Sequence, residues 1–177
     1  MESRTKVLGH PIHQILVTFP IGAFGLSVTS DALHTCLAKD EFEQTATRAL
    51  DFALITAAAA IPFGVVDWLA IPRGTRARRV GRWHAIGNAA LVGLLATSRI
   101  LRTREGRLSA AKWVSGASFM LAGVTAWLGG ELVGRHGIGV SDRHGLDAPS
   151  SLRRLEREAS RGATKVADRR ARIPLPR

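Results

Sequence analysis

The side chains able to do chemistry in this sequence are few, and they gather at the ends of long apolar runs. His10 and His13 open the first run as His-Pro-Ile-His, and Asp67 lies at the end of the second. His84 opens the third with Asn88 one turn later, and Glu131 and His136 close the fourth beside Arg135. Neutral imidazole with carboxylate is a ligand set suited to Fe, Zn, Mn or Cu. Two imidazoles from different helices can instead clamp a haem iron. His10 and His13 are three residues apart, so they share a face if both are helical. A smaller pair, Asp31 and His34, lies near the opposite ends of the runs, with Asp51 close by in sequence pattern. The single cysteine, Cys36, excludes an intramolecular disulfide framework and a multi-cysteine zinc or iron–sulfur site within the chain. No nucleophile elbow, phosphate loop or paired catalytic carboxylate motif is present, so the residues do not point to a hydrolase or a kinase. A non-enzyme, or a component of electron transfer, is the expectation.

The elements that must position these residues are membrane spans. The 46% hydrophobic fraction is ordinary, but its distribution is not, because charge is confined to short blocks and to the end of the chain. Val7 to Ser30 contains no Asp, Glu, Lys or Arg, and roughly 20 apolar residues suffice to cross a bilayer core. This run is too long for a cleavable signal and reads as the first span. The pattern predicts an all-α, integral membrane, four-helix up-and-down bundle over residues 7–140. Its helices are expected at about 11–38, 47–71, 83–101 and 113–134. Pro11 suits a first helical turn, and Pro20 and Pro62 are kinks that membrane helices tolerate. The segment Lys39 to Thr45 reads as a polar connector, and the loop from Arg73 to Arg82 carries five arginines. The third helix has the shortest uncharged core, which Arg82 and Arg99 extend by snorkelling. The fourth is rich in Gly, Ala and Ser, which let helices approach closely in lipid. Trp68, Trp83 and Trp113 are placed as interface anchors. No internal repeat is evident.

Net charge is +11, from 25 Lys and Arg against 14 Asp and Glu, and eleven of the basic residues lie from Arg135 onward. Residues 141–177 read as a basic, partly disordered tail in which 151–171 could form a charged helix. Arginine clusters beside a membrane attract anionic lipid, each worth about 1 kcal/mol near the surface. Nucleic acid is not the expected partner, because no aromatic interleaving or known motif supports it. With four spans, 18 basic residues fall on the side of the termini and 7 on the other. The positive-inside bias then puts both termini in the cytoplasm of a cell-membrane protein. Without the tail the count is 7 against 7, so the tail decides the orientation.

In an up-and-down bundle the ends that carry His10, His13, Asp67, His84, Glu131 and His136 lie at one depth. Ionisable groups beside a span are costly and usually face the bundle interior or a partner. The expectation is therefore a metal or haem b site ligated by the four histidines. Asp67 and Glu131 serve as ligands or orient imidazole N–H groups, and Asn88 and Arg135 stand behind them. A plainer reading is a structural network, in which the histidines cap helix ends and Glu131 pairs with Arg135. A third is a transport or assembly subunit in which the same groups relay protons or ions.

Gly9-His-Pro-Ile-His13, Phe19-Pro-Ile-Gly22 and Asp31 resemble a bacterial family of predicted four-helix membrane domains of unknown function. The resemblance continues in Gly64-Val-Val-Asp-Trp68, in Arg82-Trp-His84 with Asn88, and in Gly129-Gly-Glu-Leu-Val-Gly-Arg-His-Gly-Ile-Gly-Val140. It covers residues 9–140 and leaves out the basic tail. Members usually carry an aromatic where this chain has Gly134. The resemblance implies fold and membrane location but no reaction. Some members look associated with Rieske-type iron–sulfur domains, which implies redox work and an iron–sulfur or other redox partner. The small-residue faces suggest a homo-oligomer.

Overall fold

Each uncharged run is largely helical, and the second, third and fourth spans extend past their uncharged cores. The computed structural model describes residues 1–140. The basic tail, with its expected lipid contact and charged helix, lies outside the described residues. The first span is α1 (Ile12–Leu16) followed by α2 (Thr18–Leu37). It breaks at Val17 because Pro20 has no N–H and its ring crowds the carbonyl of Leu16, four residues before it. Helix α3 (Asp40–Ala70) follows a tight turn in which Ala38 adopts left-handed backbone, φ 52°. It begins at Asp40 rather than near Thr47, because Asp40, Glu41 and Glu43 sit in its first turn, where carboxylates complement the helix dipole. The expected connector is therefore helical.

Helix α4 (Arg76–Arg102) also starts early, within the arginine-rich stretch. Thr75 caps it: its Oγ1 accepts from the backbone N–H of Arg78 at 3.1 Å. Arg78 turns back over the Trp68 ring, 3.9 Å from its centroid, and donates to the carbonyls of Trp68 and Ile71. Trp68 is thus held by a cation and by Gly81, where an added Cβ would meet its ring at 2.7 Å. Helix α5 (Leu108–Gly134) begins before Trp113. All four long helices are long and apolar enough to cross a membrane. Large apolar side chains such as Phe52, Ile55, Trp113 and Met120 face outward, whereas many buried positions are Ala or Ser. That inversion suits lipid as the outer solvent.

The chain is not wholly helical. Two-residue strands β1 (Lys6–Val7) and β2 (His10–Pro11) form an antiparallel hairpin. Leu8 and Gly9 make its turn with φ 49° and 83°, the doubly positive geometry of a tight hairpin in which glycine costs nothing. This N-terminal segment is tied to the bundle end. Met1 donates from its terminal amine to the Gly137 carbonyl at 2.8 Å, and Gly139 N–H donates back to Met1 at 2.9 Å.

Helix α2 packs along α3 and α4 packs along α5, with lesser contacts between α3 and α4 and between α5 and α2. The two helical hairpins repeat one another. Residue numbers map from the first to the second by adding 71 on the leading helix and 65 on the returning one. Under that mapping the buried residues Phe24 and Ser27 fall on buried Leu95 and Ser98. Ala46, Leu50, Ala53, Ala60 and Asp67 fall on Ala111, Ser115, Ser118, Thr125 and Leu132, the whole buried set of α5. The Ser27 hydroxyl donates to the Ala46 carbonyl at 2.8 Å, and its counterpart Ser98 donates to Ala111 at 2.9 Å. The two hairpins therefore bury corresponding positions and read as a duplication, one that is not evident in the sequence. Phe24, Leu50, Ala53 and Leu95 form the central apolar cluster, and Phe24 meets Phe119 edge to face at 5.8 Å.

Candidate functional site

His13 lies in α1, where the leading helix of the first hairpin crosses α3. Its ring is seated on Gly64: a Cβ there would stand 2.6 Å from the imidazole Cε1, so only glycine leaves room. Its Nδ1 is 3.0 Å from the carbonyl oxygen of Ala60. A carbonyl oxygen only accepts, so Nδ1 carries the hydrogen and Nε2 carries the lone pair of the neutral ring. His84 repeats the arrangement in the second hairpin. Its Nδ1 donates to the Thr125 carbonyl at 2.9 Å, and Gly129 lies four residues on, with an added Cβ 3.1 Å from the ring. The close approach of α4 and α5 here is set by Gly87, whose added Cβ would meet the Thr125 methyl at 2.5 Å. His13 and His84, Ala60 and Thr125, and Gly64 and Gly129 are all equivalent pairs of the duplication.

Asn88 stands one turn beyond His84. Its Nδ2 donates to His84 Nε2 at 3.1 Å and to the His84 carbonyl at 3.0 Å. That fixes the same tautomer that the Thr125 bond demands. Both rings thus keep Nδ1–H anchored to backbone, and the Nε2 lone pair of His84 is taken by Asn88.

The other residues of the predicted cluster are placed differently. His10 is exposed in β2, so it does not share a helical face with His13, and the helix starts at Ile12 with Pro11 as its N-cap, close to where it is expected. Asp67 is buried, but both its oxygens are taken. The Ser3 hydroxyl lies 2.8 Å from each, and Arg4 N–H donates to Oδ1 at 2.8 Å. Asp67 latches the N-terminal segment to α3. Glu131 accepts from Arg135 Nη1 at 3.0 Å and lies 3.9 Å from Arg76, although its side chain is only 9% exposed. His136 is partly buried and its Nε2 has no hydrogen-bond partner among the described residues.

At the opposite end of the bundle, Asp31 pairs with Arg102, and both side chains are buried. They too are equivalent positions of the duplication. Asp31 Oδ1 and Arg102 Nε and Nη1 have no further partner among the described residues. Arg102 was not a sequence candidate. The constant spacing from His13 to Ser27 and from His84 to Ser98 is the signal that could have exposed it. Asp51 pairs with Arg99. Among the described residues, one trio of His, Cys, Asp or Glu has ligand atoms all within 4.8 Å of one another, and it consists of His34, Asp40 and Glu43. The six residues expected at the other end bring no such trio together. Their geometry fits two anchored imidazoles better than one ion surrounded by six side chains. Cys36 is exposed and free.

The model of a family described as predicted membrane protein (DUF2231) matches residues 9–142, a stretch that holds both hairpins and both anchored histidines. No curated protein and no solved structure matches the chain. The match covers well over half of the sequence and all four apolar helices. The chain belongs to the DUF2231 family of predicted membrane proteins.

Proposed function

We propose that this domain is a metal- or haem-binding, redox-associated membrane module in which His13 and His84 are the paired ligands. The observation that carries the reading is their matched anchoring. Each Nδ1–H is held by a carbonyl of the partnering helix, four residues before a glycine that accommodates the ring. Fixing both rings in advance removes ordering cost from ligand binding and presents both Nε2 lone pairs, from two helices, near one level of the bundle. When bound, the metal or haem b would supply one-electron chemistry. The chain's own residues would bind it, exclude water and set imidazole basicity through the two carbonyl bonds. Asn88 would give up its bond to His84 Nε2 when that nitrogen becomes a ligand. His136, with its unpartnered Nε2, is a third candidate ligand, while Asp67 and Glu131 hold the surrounding segments in place. His10 would act only from the surface of this site.

The redox role makes an iron–sulfur or other redox protein the expected partner. The setting is the cell membrane with both termini cytoplasmic and the basic tail on anionic lipid. Association of copies through small-residue faces belongs to the same reading. The test is to purify the full chain in mild detergent from iron-, zinc-, copper- and haem-replete cells. An absorption spectrum and an elemental analysis follow. A Soret band identifies haem, and stoichiometric metal without one, retained in His34→Ala, identifies a metal site at the anchored histidines. A preparation with neither rejects the reading.

The buried Asp31–Arg102 pair favours a second reading, a transport subunit that relays protons or ions. Charged groups inside a span mark such paths, and in transporters built from parallel repeats the site lies at the repeat interface. Proton or cation flux in liposomes that is lost in Arg102→Leu would support it, and absence of flux would remove it.

A further inference from the structure

We propose that His34, Asp40 and Glu43 bind one divalent transition-metal ion of the zinc class at the α2–α3 turn, at the bundle end opposite the anchored histidines. The site comes from the shortest connection between long helices among the described residues. Left-handed Ala38 ends α2 and lets α3 begin two residues later, which lays the last turn of one helix against the first turn of the next. One ligand atom from each of the three residues then lies within 4.8 Å of the other two. Around a tetrahedral zinc, with nitrogen and oxygen at roughly 2.0–2.2 Å, donor atoms stand roughly 3.3–3.5 Å apart. The trio therefore needs only side-chain adjustment to close on an ion. One imidazole with two carboxylates leaves a fourth position open for water.

The carboxylates alone would be an ordinary acidic helix start. His34 is the independent observation. Its side chain is 14% exposed and its Nδ1 is buried with no hydrogen-bond partner. The nearest carboxylate oxygen, Glu43 Oε2, lies 3.8 Å away, beyond hydrogen-bond reach and only a few tenths of an ångström longer than the separation of two ligands on one zinc. A buried ring nitrogen facing a carboxylate without bonding to it is costly unless something sits between them. A cation does so without requiring the ring to be charged. Nearby cationic groups are engaged elsewhere: Lys39 lies 3.9 Å from Glu41, Lys112 donates to Thr35, and Arg102 pairs with Asp31.

The experiment uses the untagged full chain in detergent, stripped with a chelator and then titrated with zinc or cobalt alone. Gel filtration and elemental analysis should return one zinc per chain above the stripped value, and cobalt should give the visible d–d bands of a low-symmetry site. His34→Ala should abolish both. Glu43→Gln and Asp40→Asn should each weaken binding at least tenfold, and they decide the matter if His34→Ala fails to fold. Glu41→Gln, next to the site but paired with Lys39, should leave it unchanged. Zinc uptake no greater than background, full uptake in His34→Ala, or equal losses in Glu41→Gln and Glu43→Gln would each overturn the proposal. The last result would reduce the trio to diffuse acidic attraction.

Discussion

His13 and His84 occupy equivalent positions in two duplicated helical hairpins, and each donates Nδ1–H to a carbonyl of the helix it packs against, at 3.0 and 2.9 Å. The equivalence extends to the glycine under each ring, but the two seats differ in tightness. An added Cβ would stand 2.6 Å from the His13 ring and 3.1 Å from that of His84.

Gly64→Ala should therefore destabilise the bundle more than Gly129→Ala. Overpacking of this kind costs about 1–3 kcal/mol, offset by up to about 1 kcal/mol of helix propensity gained over glycine. At Gly129 the two effects should nearly cancel. Thermal unfolding in detergent reads the difference, and equal melting temperatures would show that the His13 ring moves aside freely.

Asp31 and Arg102 also stand at equivalent positions, so their charges should be exchangeable. Removing one partner of a buried pair costs about 3–5 kcal/mol, because the other is left buried and unpaired. Asp31→Ala or Arg102→Ala should lose that much. The double exchange Asp31→Arg with Arg102→Asp should recover most of it. A double exchange no more stable than the single variants would mean that the surroundings of the pair are not symmetric.

The N-terminal strap should open when its latch is removed. Ser3 bonds both oxygens of buried Asp67, and hydrogen bonds to charged groups contribute about 1.5–3 kcal/mol. Ser3→Ala should raise amide exchange and proteolysis in residues 1–11 while the four long helices keep their protection. Unchanged exchange would assign the strap's order to Met1 and its bonds to Gly137 and Gly139 instead.

The four helices were legible because lipid imposes length and charge exclusion on the sequence directly. Their starts were not. Asp40, Glu41 and Glu43, and the arginines from Arg76, are charged residues that look like loop but lie in helix ends projecting past the apolar core. His10 and His13 looked like one helical pair, but the Leu8-Gly9 turn puts His10 in a strand, a case of local turn chemistry overriding spacing. The duplication leaves little mark on the sequence for a physical reason. Its equivalent buried positions share burial rather than size or identity, as Leu50 against Ser115 and Ala60 against Thr125 illustrate. Asp31 against Arg102 even opposes charge. His84 and Asn88 were legible as a pair, one turn apart on a helix. The carbonyls that anchor His13 and His84 were not, because a backbone acceptor leaves no mark on residue type.

The paired role of the histidines is tested most directly by metal and haem content in His13→Ala and His84→Ala, each purified beside the wild-type chain from replete cells. With His13 and His84 proposed as the two ligands of one site, each single variant should lose the Soret band, or one metal equivalent relative to the wild-type chain, while any ion held at His34, Asp40 and Glu43 is retained. Retention of the wild-type content in either variant would contradict the account.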